Sequence, residues 1–392
     1  MDRLEHQLEQ RKKQSLFRAL RPARSFEHGY WHGPDRSLVD LSSNDYLSLS
    51  MHPALKQASI RAIEEMGTGA GGSRLLSGDL TLHHQLEARV AQFKKKPAAL
   101  VFNSGYQGNI GLISSLCQKG DAIFCDRLNH VSLLDGARLS GARLFRFQHN
   151  DVDHLRRLLI KHSADFDRCL VATESVFSMD GDLAPLKAIA ELKQEVWFTW
   201  LVDEAHATGL FGDQGSGCVE QQGVTDQVDL VMGTFSKALG SFGGYVACSD
   251  LVKSWLINTC RSFIYSTALP PSVIAANLAA LDVVVKEPNR RKAVLERAAD
   301  LRQQLQALGW HLCGASQIIP VITGTADKAV VLSESLEEAG FRGAPVRPPT
   351  VPEGQARVRL SLCYDHDQKV VDRLVACFKD MGPVGQCDGL TR

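Results

Sequence analysis

A lysine stands directly after one of the buried apolar runs of this sequence. Lys237 lies in the segment Thr234–Gly240 (T-F-S-K-A-L-G), which follows the run Leu230–Met232. Lysine is rarely buried without a partner, so packing alone does not explain a lysine among small residues here. A lysine amine can form a Schiff base with a carbonyl compound or transfer a proton. An ordinary surface lysine is the alternative.

An aspartate follows another apolar run, Trp197–Val202. The letters D-E-A-H from Asp203 to His206 are typical of helicases, but no G-x-x-x-x-G-K-[ST] phosphate loop precedes them. A metal pair of Asp203 and His206 is a second interpretation, although H-E-x-x-H is absent. A third is a buried aspartate that keeps a heterocyclic nitrogen protonated while Lys237 holds the same cofactor, as pyridoxal 5'-phosphate (PLP) requires. A purely structural aspartate is also open.

A phosphate site is expected after the run Ala98–Phe102. The segment Asn103–Gln107 joins this run to a predicted helix, whose first amides could hold a phosphate. Gly105 would let the backbone approach closely, and Thr234 could add a hydroxyl.

Polar side chains follow two further apolar runs. His130 lies just beyond Ala122–Cys125, where its imidazole could stack on an aromatic ring, although a structural histidine is the alternative. Ser178 and Asp180 follow Cys169–Thr173. Every candidate residue therefore comes shortly after an apolar run.

These residues need a sheet to position them. Apolar runs that alternate with helical patterns predict a mainly parallel α/β sheet, in which ligands bind at the carboxyl ends of the strands. The predicted strands are Ala98–Phe102, Ala122–Cys125, Leu144–Phe147, Cys169–Thr173, Trp197–Val202, Leu230–Met232 and Tyr245–Cys248, and the predicted helices include Pro53–Met66, Gly108–Cys117, Val152–Lys161 and Leu183–Gln194.

The pattern changes after Pro270 and Pro271 to that of a smaller α+β domain. Strict alternation over Arg357–Leu362 places Arg357 and Arg359 on one face of a strand. We expect an N-terminal helix and arm over 1–40, a large cofactor-binding domain over 41–286 and a small domain over 287–392. Other predicted elements are the helices Leu4–Arg21, Ser272–Val285, Arg291–Leu308 and Lys369–Met381, the strand Ile318–Ile322 and a frayed tail, Gly382–Arg392.

Composition narrows the class of protein. The 392 residues include 44 Lys and Arg and 44 Asp and Glu, so the net charge is zero and polyanion binding is disfavoured. The ten cysteines form no C-x-x-C pair, which argues against a structural zinc site. A charged N-terminus without a long apolar stretch leads us to expect a soluble, cytoplasmic protein. The glycine-rich Gly67–Gly72 follows a helix rather than a strand, so it does not predict an NAD site.

Five motifs together resemble those of the α-oxoamine synthases, PLP-dependent enzymes of fold type I with an aminotransferase-like fold. They are S-S-N-D-Y-L, N-S-G-Y-Q-G-N, E-S-V-F-S-M-D-G-D, D-E-A-H-A-T-G and T-F-S-K-A-L-G, in the family's order. The resemblance implies a large, mainly parallel-sheet domain, a smaller C-terminal α+β domain and a homodimer with active sites between subunits. We hypothesise that Ser266 or Thr267 reaches the partner's cofactor phosphate.

The resemblance also implies roles for individual residues. Lys237 would bind the cofactor covalently, Asp203 would face its ring nitrogen, and His130 would stack on the ring and donate or position a proton. Relatives often have glycine where Ser236 stands, which should matter little if its hydroxyl points away. The other implied cofactor contacts are Gly105, Tyr106, Ser178, His206 (near the ring 3-oxygen) and Thr234, and the implied substrate contacts are Arg18 (with Arg21 as the alternative register), Asn44, Thr350 and Arg359, which would grip the amino-acid carboxylate.

Within this family, the R-P-P-T-V-P segment is most similar to the biotin-biosynthesis branch. That branch condenses L-alanine with a pimeloyl thioester, carried by coenzyme A or acyl carrier protein, and releases carbon dioxide. Branches that use glycine with another acyl-CoA, of the 2-amino-3-ketobutyrate ligase or 5-aminolevulinate synthase type, are the alternative, against which Thr350 argues. The presence of both Lys237 and Asp203 argues against a cofactor-free binding protein.

Overall fold

The computed structural model describes residues 2–383, which fold as two units. Unit 1 contains residues 2–48, Ser178–Asp182 and residues 292–383, and unit 2 contains Leu49–Phe177 and Leu183–Arg291. The segment Ser178–Asp182 thus belongs to a different unit from its neighbours in the chain. The domain limits expected after residues 40 and 286 stay a prediction, and residues 384–392 of the predicted tail lie outside the described residues.

Strands and helices are numbered in chain order. The strands are β1 (Ser25–Glu27), β2 (Tyr30–His32), β3 (Ser37–Asp40), β4 (Ala98–Phe102), β5 (Ala122–Asp126), β6 (Arg143–Phe147), β7 (Cys169–Glu174), β8 (Thr199–Asp203), β9 (Leu230–Thr234), β10 (Gly244–Cys248), β11 (Ile318–Gly324), β12 (Phe341–Arg342), β13 (Ala344–Val346) and β14 (Ala356–Ser361). The α-helices are α1 (Asp2–Lys13), α2 (Pro53–Met66), α3 (Thr81–Lys94), α4 (Gly105–Leu116), α5 (Val131–Ser140), α6 (Val152–His162), α7 (Leu186–Leu192), α8 (Cys218–Gln221), α9 (Asp250–Thr259), α10 (Arg261–Ile264), α11 (Pro271–Lys286), α12 (Pro288–Ala307), α13 (Ala326–Glu338) and α14 (Gln368–Met381).

Unit 2 is built on a seven-stranded sheet in the order β4-β10-β9-β8-β7-β5-β6. The strands from β9 to β6 run parallel to their neighbours, and β10 is antiparallel to both β4 and β9. Residues of β4, β5, β7, β9 and β10 are buried throughout, because helices cover both faces of such a sheet. The predicted mainly parallel sheet is confirmed.

Unit 1 contains a three-stranded antiparallel sheet in the order β11-β14-β13 and a four-stranded sheet in the order β1-β2-β3-β12. In the three-stranded sheet every residue of the central strand β14 is buried, including the two arginines that the alternating pattern places on one face. One apolar core lies around these sheets, with Val358 and Leu360 of β14 packed among aliphatic residues of α12, α13 and α14. The buried arginines therefore require polar partners within this unit.

Two helices are much shorter than predicted. The leading helix was expected to reach Arg21 but ends at Lys13, because Ser15 takes a left-handed conformation with φ of 55° and the Leu16 N–H donates to the Arg11 carbonyl at 2.8 Å. The helix expected over Leu183–Gln194 is shorter, because Pro185 precedes its first residue. Among residues 2–383, none of the helices has the length and apolar character needed to cross a membrane.

Candidate active site

The carboxyl ends of β8 and β9 bring together the lysine and the D-E-A-H segment. Asp203 is the last residue of β8, and Thr234 is the last residue of β9, so Lys237 stands in the turn that follows. Lys237 Nζ lies 2.8 Å from Nε2 of His206. Neighbouring parallel strands that end at the same edge explain why these two segments meet.

Asp203 is held as an oriented carboxylate. Its Oδ1 accepts the Ala205 N–H at 2.9 Å, and its Oδ2 accepts Nδ2 of Asn109 at 2.8 Å. Asp203 is 5% exposed and Asn109, on the inward face of α4, is 1% exposed. The sequence interpretation missed Asn109, although the N-S-G-Y-Q-G-N motif ends on it. Asn109 could have been found, because it is a polar residue one turn after Gly105, on the face of a helix that must pack on the sheet.

His130 is the N-cap residue that precedes helix α5, and it lies near the charges of Asp203 and Lys237. Its ring Nδ1 lies 2.7 Å from Oγ of Ser132, and its backbone N–H donates to the Glu174 carboxylate. The ring of Tyr106 meets the imidazole edge-on with ring centres 6.4 Å apart. Desolvation lowers the pKa of His130 and the nearby Lys237 charge adds to this shift, while the Asp203 charge opposes it.

The amino end of α4 forms a second part of the site. Ser104 caps the helix by accepting the Gln107 N–H at 3.2 Å, which leaves the amides of Gly105 and Tyr106 without acceptors inside the helix. A Cβ on Gly244 would lie 2.7 Å from the Gly105 nitrogen, so only glycine lets β10 approach α4 this closely. Helix amino ends carry partial positive charge, which favours an anion.

Thr234 lies beside this helix end. Gly244, which packs against the Gly105 backbone, is paired with Thr234 across the sheet. The Thr234 hydroxyl donates to the Gly243 carbonyl at 2.7 Å and accepts the Ser236 N–H at 3.1 Å. The Ser236 hydroxyl does not point away from this group, because its Oγ lies 2.7 Å from Thr234 Oγ1.

Arg359 forms hydrogen bonds with several of the predicted site residues within unit 1. Its Nε donates to the Ser178 carbonyl at 2.7 Å, and its Nη2 donates to Asn44 Oδ1 at 3.1 Å and to the Tyr46 hydroxyl at 3.1 Å. Its Nη1 donates to Ser361 Oγ at 2.8 Å. Tyr46, which the sequence interpretation missed, is fully buried, and this burial raises the pKa of its phenol despite the opposing Arg359 charge. These bonds orient a guanidinium that is only 6% exposed.

Two further arginines of unit 1 have defined partners. Nη2 of Arg18 donates to Thr350 Oγ1 at 3.2 Å, so the two residues expected to bind substrate lie together. Arg21, the alternative to Arg18, instead pairs with the Glu337 carboxylate. Arg357, to which the sequence interpretation gave no role, is bonded to Oδ1 of Asp180 at 2.7 Å. The Ser178–Asp182 segment is thus held by both arginines of β14.

Comparison with known proteins extends this picture to almost the whole chain. The family described as "Aminotransferase class I and II" matches residues 36–378. An 8-amino-7-oxononanoate synthase from Geobacter sulfurreducens is 46% identical over 379 residues, which cover 96% of this chain and 97% of the relative.

Two solved structures are similar in fold. A serine palmitoyltransferase from S. paucimobilis, solved with a bound PLP–myriocin aldimine, has a TM-score of 0.92 and 29% identity and covers 97% of this chain and 96% of its own. An 8-amino-7-oxononanoate synthase from Francisella tularensis has a TM-score of 0.77 and 27% identity and covers 88% of this chain and 97% of its own. The chain therefore belongs to the aminotransferase class I and II family and, within it, to the 8-amino-7-oxononanoate synthases.

Proposed function

We propose that this protein condenses L-alanine with a pimeloyl thioester to give 8-amino-7-oxononanoate, carbon dioxide and a free thiol, as a step of biotin biosynthesis. The observation that carries the proposal is the meeting of Lys237, His206 and Asp203 at the ends of β8 and β9, in a chain 46% identical to a synthase of that name. The thioester carrier is coenzyme A or acyl carrier protein.

The residues of unit 2 fit the cofactor of this family, PLP. PLP presents an aldehyde, a ring nitrogen and a phosphate, and the chain offers an amine at Lys237, an oriented carboxylate at Asp203 and the amino end of α4. The close approach of Gly244 to Gly105 keeps that helix end free of side-chain bulk. We propose that Thr234 and Tyr106 also contact the phosphate end, that His130 stacks on the ring, and that His206 and Ser178 lie near the ring 3-oxygen.

PLP, when bound, supplies an electron sink for negative charge at the substrate Cα. Asp203 would favour this by keeping the ring nitrogen protonated. Lys237 Nζ, which would hold the cofactor aldehyde at rest, would afterwards be the amine that takes the Cα proton of L-alanine. His206 lies 2.8 Å from this amine and orients it. Arg359 would bind the alanine carboxylate, since its bonds to Asn44, Tyr46 and Ser178 preorganise its guanidinium.

The proposed reaction forms one carbon–carbon bond and breaks one carbon–sulfur bond and one carbon–carbon bond. The Cα of L-alanine loses a proton and forms a bond to the thioester carbonyl carbon, whose bond to sulfur breaks, and the thiolate leaves as the thiol. The alanine carboxylate then leaves as carbon dioxide, and a proton returns to Cα. We propose that His130 donates or positions this proton. We also propose that Arg18 and Thr350, whose Nη2 and Oγ1 atoms are 3.2 Å apart, contact the acyl substrate.

We further propose that the protein acts as a cytoplasmic homodimer in which Ser266 or Thr267 contacts the partner's cofactor phosphate. The free thiol form of all nine described cysteines is consistent with a reducing compartment. Size-exclusion chromatography with light scattering tests the dimer. Unaltered PLP affinity in a Ser266→Ala or Thr267→Ala variant would refute the proposed contact of that residue with the partner's cofactor phosphate.

A paired assay tests the reaction. The PLP-loaded protein is incubated with pimeloyl-CoA and either L-alanine or glycine, and product mass and released carbon dioxide are measured together. We expect product and carbon dioxide in equal amounts with L-alanine and none from a Lys237→Ala variant that remains folded. A preference for glycine with a shorter acyl-CoA would refute the substrate assignment, and appreciable turnover by Lys237→Ala would refute the catalytic lysine.

A further inference from the structure

We propose that Asn109 and Ser132 are positioning residues that hold His130 in the tautomer with a bare Nδ1 and a protonated Nε2, and that couple it to Asp203. Neither residue touches the cofactor in the proposed function. The consequence for catalysis rests on that function, whereas the tautomer itself is a property of this chain.

The hydrogen bonds at Nδ1 of His130 show that this nitrogen is an acceptor. The Ser132 backbone N–H, which can only donate, lies 3.3 Å from this atom and satisfies the geometry of a hydrogen bond. Nδ1 must therefore accept, and the proton of a neutral imidazole resides on Nε2. The Ser132 hydroxyl lies 2.7 Å from the same nitrogen and must donate to it as well.

Asn109 sets the direction of the Ser132 hydroxyl. Its Nδ2 carries two hydrogens, of which one bonds Asp203 Oδ2 at 2.8 Å and the other bonds Ser132 Oγ at 2.9 Å. Because Ser132 Oγ already accepts from Asn109, its own proton is directed to His130. The opposite orientation of the amide is excluded, since it would place Oδ1 of Asn109 against the Asp203 carboxylate.

The chain of hydrogen bonds from Asp203 through Asn109 and Ser132 to His130, called the relay below, is buried and continuous. Asn109 and Ser132 are both within 1% of full burial, so water does not compete for their bonds. The charged groups that act on His130 are Asp203, Lys237 and Asp135, and the Glu174 carboxylate accepts its backbone N–H. The relay stabilises the neutral imidazole against the Asp203 charge and leaves Nε2–H as the donor that the proposed reaction uses.

Nitrogen NMR of the full-length protein labelled with ¹⁵N-histidine tests this assignment, with His130→Gln used to identify the His130 signals. We expect a pyridine-like Nδ1 and a pyrrole-like Nε2 in the unmodified protein at neutral pH. Ser132→Ala and Asn109→Ala should each raise the pKa of His130 by about 0.5 to 1 unit, the size of one hydrogen bond. Asn277→Ala is the matched control, because Asn277 is equally buried and bonds only the Phe242 carbonyl through Nδ2.

The outcomes separate this inference from the proposed function. A protonated Nδ1 in the unmodified protein, or a His130 titration that neither variant shifts, would overturn the inference. The same shift in Asn277→Ala would also overturn it, since a general loss of packing would then be the cause. The expected shifts in a protein that fails the alanine condensation assay would support the relay and refute the proposed function alone.

Discussion

Removing Lys94 should destabilise the protein far more than removing its neighbour Lys95. Lys94 Nζ bonds Oε2 of Glu204 at 2.7 Å and Thr208 Oγ1 at 3.0 Å, and it also bonds the Ser216 carbonyl. The side chains of the pair are 2% and 1% exposed. Burial is the largest influence and would lower the pKa of Lys94, but the charges and hydrogen bonds of Glu204 and Tyr245 together outweigh it and raise this pKa, so the Lys94 amine is protonated at neutral pH.

The expected magnitude follows from the carboxylate that remains. In Lys94→Met, Glu204 stays buried with the Val219 N–H, which it accepts at 2.8 Å, but without its countercharge. Breaking a buried ion pair from one side costs about 3 to 5 kcal/mol of folding free energy. Lys95 pairs with Glu220 at 3.2 Å through a side chain that is 60% exposed, so Lys95→Met should cost at most about 1 kcal/mol.

Urea unfolding of both variants measures these costs directly. Lys94→Met combined with Glu204→Gln should recover at least half of the lost stability, because the glutamine removes the unpaired charge and keeps an acceptor for the Val219 N–H. Equal costs for Lys94→Met and Lys95→Met would refute this reasoning. A double variant no more stable than Lys94→Met would show that lost packing, rather than the uncompensated charge, causes the effect.

Three other outcomes are expected. Arg357→Met should lower stability by about 2 kcal/mol, since it breaks the partly buried charged hydrogen bond to Asp180, and an Asp180→Asn background should reduce that loss in urea unfolding. Burial lowers the pKa of His83 from 6.5 to about 4, so between these pH values its imidazole is neutral in the folded protein and protonated in the unfolded chain. The free energy of unfolding should therefore fall by about 3 kcal/mol from pH 6.5 to pH 4, and by less in His83→Gln. Ser236→Gly removes one of three partners of Thr234 Oγ1, so PLP affinity should change by less than about threefold in a fluorescence titration, and a tenfold loss would contradict this.

The sheet and the residues that follow its strands could be predicted because their signals are local. A short run of apolar residues indicates a strand buried on both faces, and the strand direction indicates which end receives ligands. Asp203 and Thr234 end their strands, and Lys237 follows in the next turn, as this reasoning requires. The predicted helix Pro53–Met66 was confirmed at both ends, since a proline at its first turn and a glycine after its last residue mark them.

The partners of the site residues could not be predicted, because they depend on contacts between distant parts of the chain. Tyr46 bonds Arg359 across 313 positions, and Asn109 bonds Asp203 across 94. No local sequence pattern predicts either contact. The end of α1 was missed for a related reason, because Arg347, far along the chain, donates to the carbonyl of Ser15, where the backbone turns out of the helix.

Helix α3 carries polar as well as apolar residues on its buried face. Its residues Thr81–Lys94 place Leu82, Leu86, Val90 and Phe93 at helical spacing, but the buried face also carries the polar residues His83, Glu87 and Lys94. Each of these polar residues has a hydrogen-bond partner. His83 Nδ1 accepts the Leu80 N–H at 3.1 Å, Glu87 bonds Arg74 at 2.8 Å and Lys253 at 2.9 Å, and Lys94 bonds Glu204, the residue after Asp203. A helix whose inward face breaks the apolar pattern is expected where a fold must anchor a functional loop rather than only fill a core. Lys94, a charged residue on the inward face of α3, therefore helps to fix the chain immediately after Asp203.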